Sequence, residues 1–223
     1  MNRGEPTVPT GGHPELRSEA FAKLRRHRLG NEDRWVVRIG PGDYYATADG
    51  ELISTTLGSC IAACIRNPAT GVGGMNHFLL PDSWEGSSRW ESTMVSSPAR
   101  YGNVAMERLI NVVLGDHARR EELEIKVFGG AKVLRANIDI GERNISFVKS
   151  YLRTEGLRIA AQDMGGTAPR RLVYDPRTGV VFVKNLGVQT KQRIAHDELE
   201  HMEEIRHHSV GGDVDLFDMP GDG

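Results

Sequence analysis

Two side chains in this sequence have the types and spacing to do chemistry together: Cys60, which ends Thr56-Leu57-Gly58-Ser59-Cys60, and His77, in Met75-Asn76-His77. The segment between them holds two apolar, strand-like runs, IAACIRN and GVGGMNHFLL, separated by Pro68-Ala69-Thr70. Apolar runs punctuated by Pro and Gly read as a β-hairpin. A turn over residues 67–70 makes the pairing symmetric about its centre and sets Cys60 directly opposite His77. Opposed residues of an antiparallel pair share a face, with Cβ atoms about 5 Å apart. An imidazole so placed can generate or stabilise a thiolate, the nucleophilic form of cysteine.

The plainer reading of each residue stands beside this one. A cysteine in an apolar strand is ordinarily a small core residue, and an isolated histidine is ordinarily structural. What separates the pair from that background is register, because a slip of one residue would send the two side chains to opposite faces. Cys64 shares the parity of Cys60 and falls opposite Gly73 in this pairing, with no histidine across from it. It reads as core.

Other elements must hold the hairpin in place. Trp35 to Ile39 is a strand ended by Gly40-Pro41-Gly42, and residues 44–47 and 52–56 are short strands around an Asp49-Gly50 hairpin turn. Residues 82–97 form a long polar loop carrying Trp84 and Trp90, suited to a lid or a substrate contact. Ser97-Pro98 opens a helix with Ala105, Leu109 and Val112 on one stripe, closed by Gly115. A strand over residues 123–128 enters Gly129-Gly130, a tight exit that lacks the second half of a phosphate loop. A second helix over residues 142–155 faces Ile145, Val148 and Leu152 inward and ends at Gly156; a strand over 157–161 follows. A second hairpin joins residues 171–174 and 180–184 through Asp175-Pro176-Arg177-Thr178-Gly179.

The flanks differ from this core. Residues 1–33 read as a flexible arm, basic over residues 23–28 and with a short helix over residues 16–24. Residues 191–223 read as an amphipathic helix, with Ala195, Leu199, Met202 and Ile205 on its apolar stripe, and a disordered tail. The expected division is therefore 1–33, 34–190 and 191–223. The histidines of the last helix have no His-Glu-x-x-His arrangement, so no metal site is expected there.

Composition narrows the function classes. A formal net charge of −2 over 223 residues gives no strong field for nucleic acid or an anionic membrane. The N-terminus has no apolar stretch of the secretory kind, and no run is long enough to span a membrane. Two cysteines in one strand are poorly placed for a disulfide, which fits reduced thiols in a cytoplasmic protein.

The string TLGSCIAACIRNPATGVGGMNHFLLP, followed in order by KVFGGAKV, IGERNISFVKSYLRTEGLRIAAQDMGG and RRLVYDPRTGVVFVK, closely resembles the CheD family of chemoreceptor glutamine deamidases. The likeness covers about residues 35–187. It implies an α/β fold, specifically a single-domain three-layer α/β/α sandwich, where the residues alone indicate strands with intercalated helices. It also implies that Cys60 is the nucleophile, that His77 is its partner and that the segment near Gly129 lies close to them. The third group would be a hydroxyl six residues before the cysteine, here Ser54, with Thr55 and Thr56 as alternates in the same run. The reaction so implied is attack of the Cys60 thiolate on the γ-carboxamide of a protein glutamine, through a thiolate–imidazolium pair and a thioester. Backbone N–H groups around Gly58 and Ser59 are candidates for the oxyanion site, and Gly58 permits close approach. No metal or organic cofactor is required.

The implied substrates are methyl-accepting chemotaxis receptors, with a CheC-type phosphatase as a second partner. Neither nucleic acid nor direct membrane insertion is expected. A chain that kept the fold only as a non-catalytic regulator of that phosphatase is the alternative from another class. A transglutaminase or cysteine protease would be the alternative among thiol enzymes.

Overall fold

The structure is a computed structural model that describes residues 16, 18–30, 34–80, 97–115, 118–133 and 139–207. The expectations for the Trp84/Trp90 loop, for the start of the N-terminal arm and for the tail beyond residue 207 lie outside the described residues.

Two turns of matching sequence set the register of both hairpins. Asn67-Pro68-Ala69-Thr70-Gly71-Val72 and Asp175-Pro176-Arg177-Thr178-Gly179-Val180 make the same hydrogen bonds. In each, the first residue's N–H donates to the carbonyl of the sixth (2.8 Å at Asn67, 2.9 Å at Asp175), and the glycine N–H returns to the first residue's carbonyl. Asn67 Oδ1 and Asp175 Oδ1 accept from the N–H two residues on, while Thr70 and Thr178 hydroxyls accept from Val72 and Val180. Gly71 and Gly179 have φ of 75° and 76°, a conformation that costs a residue with a Cβ.

The first turn is therefore longer than the four residues read from the sequence, and the pairing moves by two. Strands β5 (Ile61–Arg66) and β6 (Gly73–Asn76) pair Cys64 with Met75 and Arg66 with Gly73, and Ile61 bridges Phe78. Cys64 thus opposes Met75 rather than Gly73, and Cys60 is diagonal to His77 rather than directly across from it. A shift of two preserves the face on which each side chain sits, because the side-chain period of a strand is two.

The remaining strands are β1 (Arg25–Arg28), β2 (Trp35–Arg38), β3 (Tyr44–Thr47), β4 (Leu52–Leu57), β7 (Glu124–Gly129), β8 (Ile159–Met164), β9 (Arg170–Tyr174) and β10 (Val181–Asn185). They form two five-stranded sheets, β1-β2-β4-β9-β10 and β3-β6-β5-β7-β8. Among the described strands only β2/β4 and β7/β8 are parallel. The Asp49-Gly50 turn does not make the hairpin expected of it: β3 pairs with β6 in one sheet, and β4 pairs with β2 and β9 in the other. The chain changes sheet at that turn and again between β4 and β5.

Helices α2 (Ser97–Leu114) and α3 (Ile140–Thr154) cover the second sheet, α2 against β3, β5 and β6 and α3 against β5. Asp139 caps α3 by accepting from Glu142 N–H. Gly156, with φ of 68°, closes it as Leu157 N–H reaches Leu152 C=O at 2.8 Å. Ile53, Leu57, Leu172 and Tyr174 of the first sheet share one core with Ile61, Ile65, Met75 and Val127 of the second. The α/β class is as expected.

The described parts of the flanks pack on this domain. Leu16 and Phe21 are in the core, and Phe21, within α1 (Glu19–Ala22), meets the rings of Tyr44 and Tyr45 edge-on. The basic run read as an arm supplies strand β1, whose Arg28 lies over the Trp35 ring at 5.0 Å. Replacing Phe21 by Ala should lower the unfolding free energy by about 3 kcal/mol, the cost of emptying a buried aromatic site. Urea unfolding checks this, and an unchanged midpoint would place residues 16–28 outside the cooperative unit.

Candidate functional site

Residues 58–60 carry the chain from the end of β4 in one sheet to the start of β5 in the other. Their carbonyls are all held from behind. Gly58 C=O accepts from Ala131 N–H at 2.7 Å, and Cys60 C=O accepts from Gly130 N–H at 2.8 Å. Ser59 C=O accepts from Asn144 Nδ2 on α3 at 2.8 Å, and Asn144 Oδ1 accepts from Leu80 N–H at 3.1 Å. Gly129 makes this possible: with φ of 114°, it passes so close that an added Cβ would lie 2.1 Å from the Cys60 carbonyl oxygen. The carbonyls of Gly58 and Ser59 share their peptide planes with the N–H groups of Ser59 and Cys60 and so aim those two donors outward, and Gly58 N–H converges with them on one point. Asn144 carried no signal in the sequence, because a polar residue in a helix reads as surface until its partner is known.

The occupant of that point is Glu198, from α4 (Val188–His207). Its Oε1 accepts from Gly58 N–H at 2.9 Å and Cys60 N–H at 3.1 Å. Its Oε2 accepts from Ser59 N–H at 2.9 Å and from the Ser59 hydroxyl at 2.6 Å. The buried stripe of α4 is Ile194, Glu198 and Met202, and Leu199, expected inside, is 47% exposed. The helix is turned by about one residue from the purely apolar stripe, because four hydrogen-bond donors offset the cost of burying a carboxylate. An acid flanked by Ile194 and Met202 at i±4 was the available signal.

His77 follows β6, and its Nδ1 lies 2.8 Å from Thr55 Oγ1 on β4, joining the two sheets. The Thr55 hydroxyl donates its one hydrogen to Ile39 C=O at 2.9 Å. It can therefore only accept from His77, so neutral His77 carries its proton on Nδ1 and its lone pair on Nε2. That Nε2 is buried and has no hydrogen-bond partner among the described residues. Of the three adjacent hydroxyls, Thr55 reaches the imidazole. Strand alternation sends Ser54, named first of the three, and Thr56 to the opposite face from Thr55.

Cys60 Sγ, an imidazole nitrogen of His77 and a Glu198 carboxylate oxygen lie within 4.8 Å of one another, all three residues buried. Burial, and then the Glu198 carboxylate, push the Cys60 thiol well above its ordinary range. Burial, with His201 nearby, holds His77 down at about 3. With α4 seated, both shifts favour the neutral forms, thiol and imidazole, over a thiolate–imidazolium pair. Cys64 is also buried, its thiol raised by desolvation, and it neighbours Lys126 rather than an imidazole.

A Cys, a His and a Glu at this spacing have the makings of a metal site. The donors around them oppose that use. Both Glu198 oxygens are already committed to N–H and O–H groups, whose positive ends favour an anion and repel a cation. Beside α4 runs an open cleft of about 850 Å³ whose lining includes Thr55, His77 and Glu198, with charged residues of both signs, among them Lys23, Arg193, Asp43 and Asp197.

The depressed His77 value makes a stability prediction. Between the ordinary value of 6.5 and about 3, the unfolded chain takes up a proton that the folded chain refuses. This contribution is fully present above the unfolded value and declines as pH falls, by up to about 1.4 kcal/mol per pH unit. Urea unfolding between neutral and mildly acidic pH should show it, and His77→Gln should remove that share of the slope.

Comparison with known proteins agrees with the likeness read from the sequence. The family model described as "CheD chemotactic sensory transduction" matches residues 79–185, beginning just past His77. A protein of Hahella chejuensis named "Probable chemoreceptor glutamine deamidase CheD" is 45% identical over 204 residues, covering 92% of this chain and 95% of its own. Proteins of the same name from Halorhodospira halophila and Rhodopseudomonas palustris are each 44% identical, covering 88% and 97% of this chain and 91% and 100% of their own. The chain belongs to the CheD family.

Proposed function

We propose that this protein hydrolyses glutamine side chains of chemoreceptors to glutamate in the cytoplasm, through a thioester on Cys60. The observation that carries this reading is the convergence of three fixed N–H donors on a carboxylate beside a thiol and an imidazole with a free Nε2. The printed names of the relatives supply the substrate class.

The residues divide the work as follows. Substrate displaces Glu198, and the carbonyl oxygen of its γ-carboxamide enters the cradle of Gly58 and Cys60 N–H groups. Donors aimed at the developing oxyanion lower the barrier, each by about 3 kcal/mol where single donors have been removed. His77 Nε2 takes the Cys60 proton as Sγ attacks, then delivers it to the departing ammonia. Water adds to the thioester with His77 again as base. Thr55 acts through His77: by accepting from Nδ1–H, it keeps the lone pair on the nitrogen left free for the thiol. The product is a new negative charge on the receptor surface, which interacts with a neighbouring charge by roughly 1–4 kcal/mol.

A CheC-type phosphatase would reach this site by presenting a substrate-like surface to the same cradle. A purely regulatory role explains less, because an adaptor needs neither an unpartnered imidazole nitrogen nor fixed N–H donors beside a thiol.

Mass spectrometry of a receptor cytoplasmic fragment should show glutamine converted to glutamate by the wild-type chain and by Cys64→Ala, and no conversion by Cys60→Ala. Conversion by Cys60→Ala at the wild-type rate would remove Cys60 from the reaction. Thr55→Val should lower kcat about a hundredfold, the scale of a misplaced catalytic group, with KM little changed and with rescue by Thr55→Ser. Full activity in Thr55→Val would deny Thr55 its positioning role.

A further inference from the structure

Glu198 is chemically the product of the reaction proposed above: a glutamate side chain, presented by a helix, with its carboxylate on the oxyanion donors beside Sγ. We propose that α4 is an internal pseudo-product, and that the surface beneath it is the docking site for a receptor helix presenting its glutamine where α4 presents Glu198. This inference rests on the deamidase reading and adds to it both the mode of substrate binding and a built-in competitor.

The fit is that of a helix rather than of an isolated carboxylate. Ile194 and Met202, one turn before and one turn after Glu198, are 5% and 2% exposed and bury the same face. A methyl group added to Gly58 would lie 2.9 Å from Glu198 Oε1 and 2.9 Å from Ile194 Cγ2, so the missing side chain is what lets a helix approach the donors. At the next turn, His201 lies against Gly42, where an added Cβ would meet its ring at 3.0 Å. A receptor helix occupying this surface would need uncharged residues one turn on either side of its glutamine.

Glu198 is also the stronger occupant. Its carboxylate accepts four hydrogen bonds. A carboxamide accepts through one oxygen and leaves its NH₂ facing the Ser59 N–H, donor against donor. Tethered to the same chain, α4 competes at an effective concentration of order millimolar. A receptor helix gains entry only in proportion to the fraction of molecules in which α4 is displaced.

The decisive variant is Glu198→Gln in the full chain, which turns the competitor into a substrate. Cys60 Sγ would bond to the carbonyl carbon of the introduced carboxamide as the bond from that carbon to nitrogen breaks. Ammonia leaves with the proton His77 took from the thiol. Water then hydrolyses the thioester, His77 passes its proton to Sγ, and residue 198 becomes glutamate again. The balance is one amide and one water consumed, one acid and one ammonia released.

Peptide mass mapping of the purified variant should find glutamate at position 198 when Cys60 is present, and glutamine there in the Cys60→Ala/Glu198→Gln double variant. In parallel, Glu198→Ala should raise the iodoacetamide alkylation rate of Cys60 at neutral pH by at least about tenfold, because the thiol loses both its cover and the adjacent negative charge. Glutamine persisting at position 198 in a Glu198→Gln chain that still deamidates a receptor fragment overturns the pseudo-product assignment. So does an alkylation rate unchanged in Glu198→Ala. If neither the introduced glutamine nor the receptor fragment is deamidated, the deamidase reading itself falls, and the inference falls with it.

Discussion

Two carbonyl groups held from behind, those of Gly58 and Ser59, aim two of the donors at the front of this site. Ala131 and Asn144 hold the carbonyls of Gly58 and Ser59, whose peptide planes carry the N–H groups of Ser59 and Cys60, and Gly130 holds the Cys60 carbonyl behind them. Donors fixed before a ligand arrives cost no reorganisation when charge develops against them. The segment is also where the chain passes between sheets, so its position depends on both sheets at once. The Thr55–His77 bond ties the same two sheets together close by. Cys60, His77 and the three N–H donors are thus referred to one junction, to which α3 contributes Asn144.

The same burial that fixes the geometry opposes the charged form of each reacting group. Desolvation raises the thiol and lowers the imidazole, and Glu198 adds a negative charge beside the sulfur. The closed structure is therefore one in which the parts are assembled but unionised. Withdrawing α4 admits water, removes that charge and vacates the N–H cradle in one movement. Recognition and activation then share a cause: whatever displaces the helix also creates conditions under which a proton can pass from sulfur to nitrogen.

Much of this was legible in the sequence, and what was not has identifiable reasons. The matched turns, the Cys60/His77 pairing on one face and the helix that ends at Gly156 follow from local rules of turn chemistry, parity and capping. The two-residue register error came from reading the Asn67 turn as four residues, when Gly71 extends it in a left-handed conformation. Parity absorbed the error, which is why the contact survived while the exact opposition did not. Thr55 was hidden among three adjacent hydroxyls, since only the position of the facing strand decides which of them meets an imidazole. Strand β1 was hidden because its alternation is among charged residues, whose stems and cationic heads pack on Trp35 and Tyr45. Glu198 and Asn144 share a difficulty, since each is polar, lies on a helix and is buried by partners far away in the chain; only Glu198 carried a signal, the apolar residues at i±4.

The relay from Ile39 through Thr55 to His77 has a consequence for the survival of the enzyme between substrates. A hydroxyl, unlike a carboxylate, brings no negative charge to offset an imidazolium, so the relay orients the ring without drawing the thiol proton onto it. Burial and the Glu198 carboxylate favour the protonated thiol. Oxidation to sulfenic acid and beyond proceeds through the thiolate and requires access. A buried, protonated Cys60 is a poorer target for oxidation than an exposed, pre-ionised cysteine.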